Sequence, residues 1–260
     1  MKKILVSVVM ILLLAGTAFA TPITSSNSPS SRPFVPDPGS PPPNLQTILD
    51  TIFGIGVLNA ITDQSLTAVW GAVGIPPFSN INPVLAFEFT GGPANNDLQE
   101  FGMWTAHDTG GPISRHPIYL GPAEGANDPT GPTLATVQWL TPTSGTIISA
   151  APAGYVNTGP FAGIEYGWFG FYYRFSTQAF EYTYDALNPG GVVAALVYEV
   201  PGGAAWAVAF DGDLIHPVWD FNDMVVKIES IHPAVPEPGI LILLGIGLGA
   251  VGVLSRRIKF

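Results

Sequence analysis

The 260-residue sequence predicts a mostly β protein: an antiparallel β-sandwich, jelly-roll-like, with a short N-terminal helix, an N-terminal signal peptide and a C-terminal transmembrane helix. Three observations predict it. Short runs of aromatic and β-branched residues recur between Gly- and Pro-rich breaks, the pattern of strands joined by turns. One stretch alone has helical periodicity, and no strand–helix alternation suggests a doubly wound sheet. Both ends are apolar segments flanked by basic residues, and the body between them is acidic.

Taken in order, residues 1–20 read as a secretory signal peptide. Lys2 and Lys3 form the cationic start, 4–15 the apolar stretch, and Ala18-Phe19-Ala20 before Thr21 fits the small-residue cleavage rule. The partners expected at this stage are the export translocon and signal peptidase. Residues 21–43 hold eight Pro and six Ser, the composition of an extended linker. The folded body is expected over 44–231, and about 190 residues suffice for one sizeable core. Its helix is placed at 44–58, where Leu45, Ile48, Leu49 and Ile52 share one face and Gly54 and Gly56 supply a stop. Strands are expected within 84–90, 98–105, 134–140, 161–175, 180–184, 192–200, 204–210 and 224–231. Residues 232–260 form the tail. Its apolar span, 239–254, would be a helix of ~24 Å against a hydrocarbon core of ~30 Å. Ser255, Arg256, Arg257 and Lys259 can reach the headgroups, and their charge favours the cytoplasmic side, which leaves the body outside the inner membrane. A Gly-x-Gly-x-x-Gly match at 247–252 lacks the following helix and downstream acid that dinucleotide binding requires.

Charge narrows the function classes. The chain has 9 basic and 19 acidic residues, and the tags hold five of the cations. Arg32, Arg115, Arg174 and Lys227 are left against all 19 acids, a net −15 for the interior. Such a balance excludes a nucleic-acid partner, whose footprint is a basic patch. The absence of cysteine excludes a disulfide scaffold and a thiolate metal site.

Val235-Pro236-Glu237-Pro238, an apolar span and Ser255-Arg256-Arg257 follow one another at the end of the chain. This order resembles the PEP-CTERM sorting signal of exosortase substrates. The resemblance implies an exopolysaccharide-producing Gram-negative bacterium. It implies transient anchoring, a cut near Pro-Glu-Pro by an exosortase-like enzyme, and delivery to the cell surface or matrix. The physical logic agrees, because two prolines keep Glu237 extended and accessible outside the membrane. The body is similar to an exported domain of unknown function found in such proteins. The likeness rests on Leu45-Gln46-Thr47-Ile48-Leu49, on Phe101-Gly102-Met103-Trp104 and Phe169-Gly170-Phe171-Tyr172, and on Trp219-Asp220-Phe221-Asn222-Asp223 before the last strand. An adjacent Glu-Asp pair of that pattern is split here into Asp211-Gly212-Asp213.

Asp211, Asp213, Asp220, Asn222 and Asp223 fall within 13 residues, with no Lys or Arg among them. Ca²⁺ takes six to eight oxygen ligands, which this set and backbone carbonyls could supply. A turn in which Asp and Asn satisfy local backbone donors explains the same residues. Zinc is disfavoured, because His107, His116, His216 and His232 lack convergent spacing. Paired carboxylates for glycoside hydrolysis need only be close in space. Glu88, Glu165, Glu181 and Glu199 are expected in strands with their side chains on the solvent face. The aromatic run 168–175 reads mainly as packing. The expected role is a non-catalytic structural or binding component of the exopolysaccharide layer. A calcium-dependent glycan-binding module and a secreted glycan hydrolase are the alternatives.

Overall fold

The structure, a computed structural model, describes residues 44–88, 98–106, 112–122, 133–151, 156–175, 178–203, 205–211 and 221–234. The signal peptide with Ala18, Ala20 and Thr21, the linker and the transmembrane span lie outside them. Among the described residues no helix is long and apolar enough to cross a membrane.

Asn44 opens the fold. Its backbone is extended and its side chain accepts the Thr47 N–H at 2.9 Å, capping α1 (Leu45–Phe53). Gly54, at φ 102°, ends the helix earlier than the expected 58. Leu45, Ile48 and Leu49 are buried. Gln46 pins the chain that follows: its Nε2 donates to the Leu58 carbonyl at 2.8 Å and its Oε1 accepts the Ala60 N–H at 2.9 Å. The Leu-Gln-x-x-Leu pattern therefore joins a buried face to a loop clamp.

Thirteen strands follow among the described residues, all paired antiparallel. They are β1 (Trp70–Ala72), β2 (Ser79–Glu88), β3 (Leu98–Thr105), β4 (Ser114–Pro122), β5 (Thr133–Thr141), β6 (Ser144–Ala151) and β7 (Gly159–Ala162). Then come β8 (Gly170–Phe175), β9 (Glu181–Tyr182), β10 (Ala195–Glu199), β11 (Ala205–Phe210), β12 (Met224–Glu229) and β13 (Ile231–Pro233). One sheet has the order β10-β11-β12-β2-β5-β6-β7, a second β4-β3-β8-β9, and β1-β13 form a two-stranded ribbon. This seven-plus-four arrangement departs from an eight-stranded jelly roll.

Alternation along the strands builds three apolar layers. Trp206, Val208, Phe210, Met224, Val226 and Ile228 of the larger sheet share one core with Phe101, Met103, Phe171 and Tyr173 of the smaller. Phe210 meets Tyr173 at 5.6 Å and Phe101 at 6.1 Å between ring centroids. The opposite side of β10–β12, with Leu196, Tyr198, Ala207, Ala209 and Val225, is covered by α1. Both faces of β11 are therefore buried, which is why its run Ala-Trp-Ala-Val-Ala-Phe carries no polar residue. The third layer, around Trp104, Tyr172 and Tyr182, lies outside the four-stranded sheet.

Sheet edges are occupied. Ser65 N–H donates to Val197 of β10 at 2.7 Å, and Asn157 N–H to Ile118 of β4 at 2.9 Å. Beside β9, the buried Asn188 side chain stands in for a strand, accepting Tyr182 N–H at 2.7 Å and donating to Tyr182 C=O at 3.0 Å. On the last edge, β7 has four residues, one of them Pro160, which cannot extend a ladder.

Some expected strands differ. β1, β4 and β6 fall where none was expected, because Pro117, Pro122 and the small polar residues of Ser144–Ala151 mask the alternation. β2 starts at Ser79 rather than 84, since Pro83 within it reads as a break. The expected run 161–175 divides into β7 and β8, which belong to different sheets. The body extends past 231 through β13.

Candidate functional site

The acidic turn comes first. β11 and β12 pair as far as Phe210 opposite Met224, so Asp211 and Asn222-Asp223 meet where the strands part. Asp223 N–H donates to the Phe210 carbonyl at 3.2 Å, and Asp211 N–H to the Ala194 carbonyl at 3.3 Å. The Asp211 carboxylate accepts the Phe221 N–H at 3.4 Å. Phe221 has φ 51°, a left-handed conformation unusual for so bulky a residue, and its ring is buried against the α1 cluster. Asp211 and Asn222 are both buried. The sequence-selected Asp211, Asn222 and Asp223 are thus brought together, and Asp211 serves the backbone of the turn. Asp213 and Asp220 lie outside the described residues. Among the described residues no group of three His, Cys, Asp or Glu is placed to hold a metal ion.

The other candidates scatter. His116 is half-buried, which lowers its pKa, and its ring lies 5.6 Å from Phe161. His232 is exposed, whereas His107 and His216 are outside the described residues. Glu199 faces solvent as expected. Glu181 does not: it is buried in β9, because it pairs opposite Tyr173, whose side chain points into the core. Glu165 lies between β7 and β8, not in a strand. The Glu88 side chain is outside the described set.

A constellation missed from sequence occupies the outer face of the four-stranded sheet. The two Phe-Gly motifs are register partners there: Gly102 pairs with Tyr172, and Gly170 with Trp104. Each aromatic ring lies on the opposing glycine, so close that a Cβ at Gly170 would stand 2.4 Å from Trp104. Trp104 Nε1 donates to the Phe171 carbonyl at 2.9 Å. Tyr172 OH donates to Glu100 Oε1 at 2.5 Å, and burial followed by this bond raises the tyrosine pKa. Arg174 Nη1 lies 3.9 Å from Glu100 Oε2. Arg115 Nε donates to Tyr182 OH at 2.6 Å, with its guanidinium 4.4 Å from the centre of the Phe180 ring. Arg174 lies 4.9 Å from the same ring. Two of the four interior cations therefore converge on one aromatic face, with Trp168, Tyr184 and Leu187 packed beside it. Arg174 has an aromatic neighbour two residues away, Tyr172, but Arg115 is flanked at that spacing by Ile113 and Pro117, so nothing in the sequence signalled that the two converge. The pairing of β3 with β4 and β8 that unites them was not readable.

The described body ends at Ala234, and the tail beyond it defines the class: a β protein carrying a C-terminal sorting signal. Residues 234–258 match the family model for the PEP-CTERM protein-sorting motif. The motif marks a protein exported and sorted to the cell surface, and it implies processing by an exosortase-like enzyme. No curated protein and no solved structure matches the chain.

Proposed function

We propose that this chain works outside the cell as a non-catalytic structural or binding component of the surface or exopolysaccharide layer of a Gram-negative bacterium. The sorting motif that directly follows the β body carries this reading. The chain leaves through the translocon, loses residues 1–20 at Ala18-Phe19-Ala20/Thr21, and is held by a transmembrane helix at 239–254. Arg256 and Arg257 then lie on the cytoplasmic side, and Val235-Pro236-Glu237-Pro238 faces the processing enzyme. Mass spectrometry of the released protein is expected to find Thr21 at the N-terminus and no peptide beyond about Pro236. Released protein that retains 239–260 would overturn the reading.

One observation favours a second reading, a calcium-dependent glycan-binding module: a carboxylate residue, Asp211, and an amide residue, Asn222, are both buried where β11 and β12 part. Calcium there would draw on Asp211, Asp213, Asp220, Asn222 and Asp223. EGTA is then expected to lower the melting temperature and added Ca²⁺ to restore it. An unchanged melting temperature at millimolar calcium rejects this reading.

A further inference from the structure

Ala234 is the last described residue, and its position selects the side of the body that meets the membrane. Its N–H donates to the Val69 carbonyl at 3.0 Å, and its side chain packs on the cluster of Trp104, Tyr172 and Tyr182. The chain thus leaves the fold at the outer face of the four-stranded sheet. Five residues carry it from Ala234 to Gly239, where the apolar span starts. Fully extended they cover at most about 18 Å. A body of about 190 residues has a radius of gyration of about 16 Å. A tether no longer than that cannot let the far side turn to the bilayer. We infer that this outer face lies against lipid headgroups while the protein is anchored. Arg115 engages a lipid phosphate, and Trp168, Phe180 and Tyr184 sit in the interface.

The chemistry of the face suits that surface. Trp and Tyr rings favour the membrane–water boundary, where an apolar body and a polar tip are both accommodated. Arg115 is exposed and stiffened by its bond to Tyr182 and by the Phe180 ring. Its two Nη groups make no hydrogen bond or ion pair with a described residue and match the geometry of a phosphate. The body is acidic, yet the carboxylates here are drawn inward: Glu100 is tied to Tyr172 and Arg174, and Glu181 and Asp185 are buried.

The inference rests on the anchored reading above. The chain lacks cysteine, so single labels can be placed at will. Ala186→Cys lies exposed between Tyr184 and Leu187. Ile148→Cys lies on the larger sheet, exposed, with its neighbour Ile147 in the core. Each full-length variant, labelled with a fluorophore, is reconstituted into phosphatidylethanolamine–phosphatidylglycerol vesicles carrying a headgroup nitroxide. Quenching at position 186 is expected to exceed that at 148 several-fold, and Arg115→Glu to narrow the difference. Equal quenching in protein that floats with the vesicles overturns the orientation and leaves anchoring intact. Protein that fails to float overturns both.

Discussion

Replacing Gly102 with alanine is expected to cost about 3 kcal/mol of stability, the upper end of the usual range for overpacking. A Cβ at that position would stand 2.3 Å from the His116 carbonyl oxygen and 2.7 Å from the Tyr172 ring. Neither neighbour can give way cheaply. The carbonyl belongs to the strand paired with β3, and the ring is held by the Tyr172–Glu100 hydrogen bond. Gly170→Ala strikes the same arrangement from the other side, against a buried Trp104 fixed to the Phe171 carbonyl. Urea unfolding followed by tryptophan fluorescence reads both variants. A loss below about 1 kcal/mol in each would show that the rings, not the glycines, set the fit.

Trp206→Ala is expected to cost about 3–5 kcal/mol, the range for removing a large buried aromatic ring. Trp206 is 1% exposed and meets Trp70 of β1 edge-on at 5.8 Å. Trp70 in turn lies 5.2 Å from Phe171 of the four-stranded sheet. The truncation would therefore open a cavity where the larger sheet, the ribbon and the smaller sheet meet. Trp206→Phe keeps most of that contact and is expected to recover more than half of the loss. Equal losses for the two variants would place the ring's contribution elsewhere than in packing.

How much of this was legible depended on how strongly each element wrote its pattern. α1 was readable because Leu45, Ile48, Leu49 and Ile52 repeat at helical spacing and Gly54 supplies a stop. β3, β10, β11 and β12 were readable because their buried residues are large or branched. β4 was hidden by its prolines, which an edge strand tolerates. The acidic turn was legible as a group of residues but not as an arrangement. Spacing could not say that Asp211 would bond the Phe221 N–H or that Phe221 would take a left-handed backbone. The Arg115–Phe180–Arg174 face was illegible for a stronger reason. Its members come from β4, β8 and the segment before β9, and only the register of β3 with its two neighbours sets them side by side.

The strand order also sets a sequence of events in time. β12 lies between β11 and β2, so residues 79–88 and 224–229 must meet near the middle of the seven-stranded sheet. A chain threaded across a membrane from its N-terminus delivers β2 first and β12 last of the seven strands in that sheet. Pairings so distant in sequence form slowly, because the intervening loop must be ordered before any contact rewards it. The large sheet stays split until the residues just before Ala234 have crossed. Completion of the fold and arrival of the sorting tail are thereby tied to one moment.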